Sequence, residues 1–366
     1  MKIASVIHSL NGGGAERILA GLLSRLVDRG HAAELITLDD GSQDRYPVDA
    51  AVGRRPLGLM RDTHGPWDKV RQTRRRVDAI GRAIAEAAPD VGLSFCDRTN
   101  IQVLEAVGRS PIPVVIAERS DPAQQPLGPI WEHRRRRVYR QATRVVALTA
   151  SSAATLQHWT HVPVTVIPSA VERPPLVSDR RQAAARRRVL GVGRLETEKG
   201  FDRLVEAFGI ATNADPDWSL RILGEGSARD ELLRLAESLG LGERFDLPGW
   251  VSPIWPPLAE ATLFALPSRY EGFPSALLEA MAVGVPCVAV DCESGPRAII
   301  DPGVDGLLVD NSVQGLADGI RRLIEQPDFR EQLADQGRSI TERFGWEAMV
   351  DAYQNVLREA AEPGRP

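Results

Sequence analysis

Short β-branched apolar runs alternate with longer amphipathic stretches along this chain, and the alternation occurs twice. Runs at 2–8, 33–38, 91–95, 112–117, 143–148 and 163–167 are four to seven residues long and mostly apolar, as strands buried in a parallel sheet should be. Helical patterns at 15–29, 68–88 and 151–159 separate several of them. The pattern restarts at 187–193 and continues through 219–223, 262–266, 286–290 and 307–309. Such βαβ alternation winds into a parallel sheet covered by helices, so two runs of it predict an α/β chain of two Rossmann-like domains. The 366 residues exceed one ordinary core and suit two. The break falls at 168–186, which holds three prolines and no apolar period. Expected boundaries are therefore 1–170 for the first domain, 171–186 for a linker, 187–342 for the second domain, and 343–366 for a terminal helix and tail. Within 343–360, Phe344, Met349, Tyr353 and Val356 stand at helical spacing.

Composition narrows the class. With 43% hydrophobic and 26% charged residues the chain reads as soluble and globular, which excludes collagen-like, coiled-coil and wholly disordered proteins. No apolar run is long enough to span a bilayer, and the start, MKIASVIHSL, lacks the apolar core of a signal peptide. Cys96, Cys287 and Cys292 form neither a disulfide framework nor a zinc-type pair, so a cytoplasmic protein is expected. The net charge of −4 hides an asymmetry: residues 1–170 carry 23 Lys+Arg against 17 Asp+Glu, and the rest 22 against 32. A basic first half suits an anionic partner, whether nucleic acid, an anionic membrane or a phosphorylated acceptor; plain surface composition is the bland alternative.

Three loops carry the chemistry. Residues 11–17, NGGGAER, lie between a strand and a helix, where glycine backbone and a helix N-terminus favour an anion. Gly12 and Gly14 fit the first two positions of a dinucleotide fingerprint, but the third falls on Arg17, so the nicotinamide reading is weak although Asp39 and Asp40 end the second strand. No GxxxxGK[ST] occurs, which argues against a P-loop. In 189–208, VLGVGRLETEKGFDRLVEAF, Arg194 and Lys199 flank a strand-end loop and suit a diphosphate; Glu196 and Glu198 allow a local salt-bridge cluster instead. In 268–290, SRYEGFPSALLEAMAVGVPCVAV, Glu271 precedes a helix opened by Pro274, and Glu279 lies inside it. Two carboxylates so placed can accept hydrogen bonds from hydroxyls about a nucleotide-sugar's length apart, while the first-turn N–H groups of Ser275 and Ala276 face phosphate. Either glutamate alone would usually be a solvated helix carboxylate; the composite is more specific.

The GGAER loop, the VGRL…KG loop and the E-x7-E segment Glu271–Glu279 together resemble the large retaining GT-B glycosyltransferase family, in its family 4-like branch, over essentially the whole chain. SRYEGFPSALLEAMA followed by SGPRAII at 294–300 is similar to bacterial enzymes that build lipid-linked oligosaccharides and exopolysaccharides from UDP-galactose or UDP-N-acetylhexosamines. The resemblance implies two Rossmann-like domains facing each other across a cleft, with the terminal helix crossing back to the first. It implies that Arg194 and Lys199 hold the donor diphosphate and that Glu279 takes the ribose hydroxyls. Glu271, with the backbone of Gly272, Phe273, Pro274 and Ser275, would bind the transferred sugar. The LPGWV stretch ending at Val251 would contact the base, and Gly13 and Gly14 would face the phosphates from the first domain. Two positions depart from the pattern. Where many relatives carry a histidine after the strand at 112–117, this chain reads IAERSDP, which makes Arg119 the candidate in its place, with His8 and His64 as weaker ones. Ala298 stands where relatives commonly carry a glutamate.

The implied activity is metal-independent, retaining transfer of a hexose or N-acetylhexosamine from a UDP-sugar to a glycan hydroxyl, with no cofactor and with Glu271, Arg194, Lys199 and Arg119 as its catalytic candidates. Residues 69–76, KVRQTRRR, and the run Arg134 to Arg137 fall on predicted helices; Arg71 and Arg75, four apart, share a face. With Arg134 and Arg137 they form a candidate surface for anionic lipid or a polyprenyl diphosphate acceptor at the inner face of the membrane, against the alternative of a solvated helix face. A soluble natural-product acceptor and a UDP-sugar epimerase of related fold are the enzyme rivals. A nucleic-acid module is disfavoured, because 5% aromatic residues leave few stacking platforms.

Overall fold

The computed structural model describes residues 1–362 except 109, 126 and 293, so the last four residues of the expected tail lie outside the described residues. The chain forms two compact units, Met1–Ser169 with Glu347–Pro366, and Ala170–Trp346.

The first unit holds strands β1 (Lys2–Ile7), β2 (Ala32–Thr37), β3 (Gly53–Pro56), β4 (Val91–Phe95), β5 (Val114–Ala117), β6 (Arg144–Ala147) and β7 (Val164–Val166). Helices α1 (Gly14–Asp28), α2 (Gly65–Ala87), α3 (Asp97–Val107), α4 (Pro129–Val138) and α5 (Ala150–Thr160) connect them. All neighbours pair in parallel, in the order β3-β2-β1-β4-β5-β6-β7. Ile3, Ala4, Val6 and Ile7 are fully buried, as a central strand covered on both faces requires. The buried face of α1 is Ile18, Leu19, Leu22, Leu23 and Leu26, spaced at three and four. β3, with the sequence GRRP, is an edge strand that no apolar run announces; its arginines are held by Asp44 and Glu34, at 2.5 Å each.

The second unit begins with α6 (Arg180–Arg186), inside the stretch expected as a linker. Asp179 caps it, accepting from the N–H groups of Arg181 and Gln182, ahead of three alanines that favour a helix. Strands β8 (Arg188–Val192), β9 (Ser219–Leu223), β10 (Phe245–Gly249), β11 (Leu263–Leu266), β12 (Cys287–Val290) and β13 (Leu307–Val309) follow. Helices α7 (Phe201–Ala211), α8 (Arg229–Ser238), α9 (Trp255–Ala259), α10 (Ser275–Val283), α11 (Pro296–Ile299), α12 (Val313–Glu325), α13 (Pro327–Gly337) and α14 (Ile340–Arg343) surround them. The sheet is again parallel, ordered β10-β9-β8-β11-β12-β13. Both sheets therefore reverse direction of winding once, between β1 and β4 and between β8 and β11, and loops that part at such a reversal open a crevice at the carboxyl strand ends.

The last helix, α15 (Trp346–Ala361), belongs to the first unit from Glu347 onward. Tyr353 is fully buried with its ring centroid 5.9 Å from that of Phe95, and Arg29, at the C-terminal cap of α1, pairs with Glu347 and Asp351 at 2.5 Å each. Among the described residues no helix is long and apolar enough to cross a membrane.

Candidate functional site

At the reversal of the second sheet, the loop after β8 and the loop after β11 run against each other. Gly200 has φ +65°, and a Cβ there would lie 2.3 Å from the carbonyl oxygen of Pro267, so only glycine admits this approach. Arg269 fastens the two loops: its N–H donates to the carbonyl of Glu198 at 2.8 Å, and its Nη1 to that of Thr197 at 2.6 Å. Its guanidinium also grips both oxygens of Asp202 in the first turn of α7, at 2.9 and 2.6 Å, a two-pronged geometry that fixes orientation as well as distance.

The fastened loops bring two of the expected residues together. Lys199 Nζ lies 2.7 Å from Glu271 Oε1, and Ser268 Oγ donates to that same oxygen at 2.7 Å. The backbone carbonyl of Glu271 accepts from Ser294 Oγ at 2.6 Å, and Glu271 is 7% exposed. Both side-chain bonds converge on Oε1, so Oε2 has no hydrogen bond from the described residues. Two residues on, Phe273 is buried with its ring edge-on to Phe344, centroids 5.2 Å apart, which sets the entry of the chain into α10. Pro274 caps that helix and its carbonyl accepts from Leu277 and Leu278, while Ser275 and Ala276 supply the first-turn N–H groups that no helix can satisfy internally. Glu279 is buried within α10.

Arg194 is placed differently from Lys199. Its side chain is 63% exposed and pairs with Glu198, four residues on, at 2.9 Å, the local salt bridge that was the alternative in the sequence. Glu196 is likewise engaged locally: it accepts from the N–H and hydroxyl of Ser227, which hold its carboxyl below the usual range. Val251 follows the carboxyl end of β10 and is half-buried, on the same edge of the sheet as the two loops. Asp215 and Asp217, at a spacing often associated with metal-bound nucleotides, precede β9 at the opposite edge and both bind Arg187.

The reversal of the first sheet is occupied by the chain itself. Gly13 caps α1, but the carboxylate of Glu16 folds back over it: a Cβ on Gly13 would lie 2.3 Å from Glu16 Oε2. Glu16 is the third residue of the helix, from which a glutamate reaches back to the cap, and His8 Nε2 stands 3.1 Å from its other oxygen. The place expected to face phosphate through Gly13 and Gly14 thus already holds an anion. After β5, Glu118 is buried, accepting from Tyr139 Oη at 2.8 Å and Ser120 Oγ at 3.2 Å. Burial, then the nearby charge of Asp97, pushes Glu118 up to about 7 against the pull of Arg135. Arg119 donates to Ser169 Oγ at 2.7 Å and stacks on Phe95 at 5.0 Å.

The two arginine runs also part company. Arg71 and Arg75 are exposed on α2. Arg134 is bound on both sides, stacked 4.2 Å over Trp131 and gripped by Glu105, and Arg135 and Arg136 both pair with Glu132, so of that run Arg137 alone remains without an ion pair among the described residues. Sequence reasoning missed Ser268, the Arg269–Asp202 fastening and the Glu118–Tyr139 pair; the one prior signal was Asp202 two residues after Gly200 at a helix start.

Residues 12–173 match the Glycosyltransferase Family 4 model and residues 178–340 the model Glycosyl transferases group 1. The chain is 27% identical over 364 residues to the GalNAc-alpha-(1->4)-GalNAc-alpha-(1->3)-diNAcBac-PP-undecaprenol alpha-1,4-N-acetyl-D-galactosaminyltransferase of Campylobacter jejuni, covering 98% of this chain and 99% of that one. An uncharacterized glycosyltransferase of Haemophilus influenzae is 29% identical over 170 residues, 46% of this chain and 48% of that protein. Several curated relatives are matched in this way over about half of their length or less. Among solved structures, Anabaena Alr3699/HepE in complex with UDP-glucose superposes with a TM-score of 0.80 at 21% identity, covering 98% of this chain and 100% of that chain, which shows the shared fold.

Proposed function

We propose, for a chain that belongs to the GT-B glycosyltransferases of the group 1 and family 4 type, that it moves a hexose or N-acetylhexosamine from a UDP-sugar to a glycan hydroxyl, with retention and without a metal. The observation that carries this is the Lys199–Glu271 pair, 2.7 Å apart at the strand reversal and one turn from the N-terminus of α10. An ammonium has three donors, so Lys199 can hold Glu271 and a diphosphate oxygen at once. Glu271, with Oε1 engaged by Lys199 and Ser268, is left with Oε2 for a sugar hydroxyl. Glu279, further along α10, takes the ribose.

As the anomeric bond breaks, negative charge grows on the departing diphosphate. Lys199 and the first-turn N–H groups at Ser275 and Ala276 stabilise it from fixed positions and Arg194 swings in to join them, the role otherwise taken by a divalent cation. The exposed Arg194 exchanges Glu198 for phosphate at little cost, since a solvated i,i+4 pair contributes only a few tenths of a kcal/mol. We further propose a lipid-linked acceptor presented at an anionic membrane surface to the first unit. The undecaprenol in the name of the Campylobacter relative supports that choice, and the UDP-glucose of the Anabaena neighbour supports the donor.

The test is a thermal-shift panel of UDP, GDP, their sugars and nicotinamide dinucleotides in the presence of a chelator, followed by transfer assays on lipid-linked and soluble acceptors. Stabilisation by UDP and one UDP-sugar, of about 2.7 kcal/mol at a hundredfold excess over Kd, is expected. Stabilisation by GDP or a nicotinamide dinucleotide alone would overturn the donor assignment, and turnover only on a soluble aglycone would overturn the acceptor.

A further inference from the structure

We infer that the first half of α2, with the loop before it, is an insertion element that docks the protein on a bilayer carrying anionic headgroups. Trp67 is 86% exposed, more than any other large apolar side chain among the described residues, and Met60 and Val70 beside it in sequence are 52% and 47% exposed. Interleaved with them are Lys69, Arg71, Arg74 and Arg75, all exposed and none in an ion pair among the described residues. On a helix Trp67, Val70, Arg71 and Arg74 fall on one face by their spacing of three and four, and the first acid on that face is Asp78. The nearer Asp68 is consumed by Arg61 at 2.6 Å and by the N–H of His64 at 3.0 Å.

The opposite face shows that this half of the helix is not held there by a core. Its one buried residue is Gln72, which bonds Leu59 and Arg61; the apolar anchors Ile80, Ala83, Ile84 and Ala87 all lie in the second half. Two to three turns thus stand clear of the core bearing Trp67, Val70 and four cations without an ion pair among the described residues, with Met60 in the loop just before them. Such a surface matches an interface, where an indole sits at headgroup depth and the cations meet lipid phosphate. A nucleic acid would use the cations but give Met60 and Val70 no partner. The second arginine run does not compete, because Arg134, Arg135 and Arg136 are already paired with Glu105 and Glu132.

This inference rests on the membrane-presented acceptor proposed above and sharpens it to one helix. The experiment is flotation of the full chain with vesicles of phosphatidylcholine alone or mixed with phosphatidylglycerol, plus quenching of tryptophan fluorescence by brominated lipid. Anionic vesicles should bind the protein and added salt should weaken binding. Each cation near such a surface contributes about fivefold, so Arg71→Gln with Arg75→Gln should lower the partition coefficient roughly 25-fold, against less than about twofold for Arg136→Gln. Trp67→Phe should bind but lose most of the quenching, and Trp67→Ala should bind several-fold less. Equal binding to both vesicle types, or quenching unchanged in Trp67→Phe, would overturn the inference. All variants should keep the UDP thermal shift, which shows them folded. Normal vesicle binding without transfer to any lipid-linked acceptor would instead refute the acceptor, and transfer without vesicle binding would refute this docking helix alone.

Discussion

The reversal point of the second sheet pairs an ammonium with a carboxylate and keeps a helix N-terminus beside them, whereas that of the first sheet is filled by a carboxylate of its own helix. Both sheets have the same order of winding, so topology offers each unit the same crevice. What separates them is the third residue of one helix. Glu16 folds back on Gly13 and, with His8, supplies the negative charge that a glycine loop would otherwise draw from a ligand. The second unit has no such self-capping at α10, whose cap is Pro274, a residue without a side-chain acceptor. The comparison teaches that a phosphate loop is recognised by what is missing from it as much as by its glycines.

The sharpest way to break this contrast is to remove the charge from each side. Lys199→Ala should lower kcat by 10²–10³, about 3 kcal/mol of transition-state stabilisation, while Glu16→Gln should cost less than about tenfold. Steady-state kinetics on a UDP-sugar decide it, and equal losses would mean that both units hold the donor phosphates through these groups. A smaller effect is expected from the backbone. Gly200→Ala places a methyl against a carbonyl at positive φ and should destabilise the second unit by roughly 2–3 kcal/mol, with weaker UDP binding. Gly13→Ala, at extended φ −157° and against a movable side chain, should cost at most about 1 kcal/mol. Thermal melts with and without UDP separate the two.

The smallest expected effect concerns the proton held by the first unit. With Glu118 raised to about 7, the folded chain keeps between its ordinary range and pH 7 a proton that the unfolded chain releases. Stability contributed by this group therefore falls as pH rises through that window. Glu118→Gln removes the dependence, so the melting temperature of the variant relative to the parent should rise by a few degrees between pH 5 and pH 7.5. A constant difference would show that Glu118 titrates normally.

The strands were legible because a parallel strand covered by helices is mostly apolar over a short run: 91–95 and 219–223 are β4 and β9 to the residue, although β9 carries the half-buried Arg221. The run at 112–117 begins early, since Ile112 and Pro113 are apolar without belonging to β5. β3 escaped because an edge strand of Gly, two arginines and Pro carries no hydrophobic signal. At the site, the order of the loops named Lys199 and Glu271, but their 72-residue separation conceals that they touch. Asp202 and Arg269 are 67 apart and bear no local mark of pairing. Arg134 shows the converse error: a run of four arginines looks uniform until Glu105 and Glu132 are seen to take most of it.

The placement of α15 has a consequence for how the protein is made. The ring of Tyr353 packs on Phe95 and Arg29 waits for Glu347 and Asp351, more than 300 residues later. Chains emerge from the ribosome amino end first and domains tend to fold as they appear. Here the unit that starts first must stand unfinished, with the aromatic seat at Phe95 open, through synthesis of the whole second unit. Its last helix arrives only after the second unit has been made, so a stop codon placed at Glu347 would leave the second unit intact and strike the first.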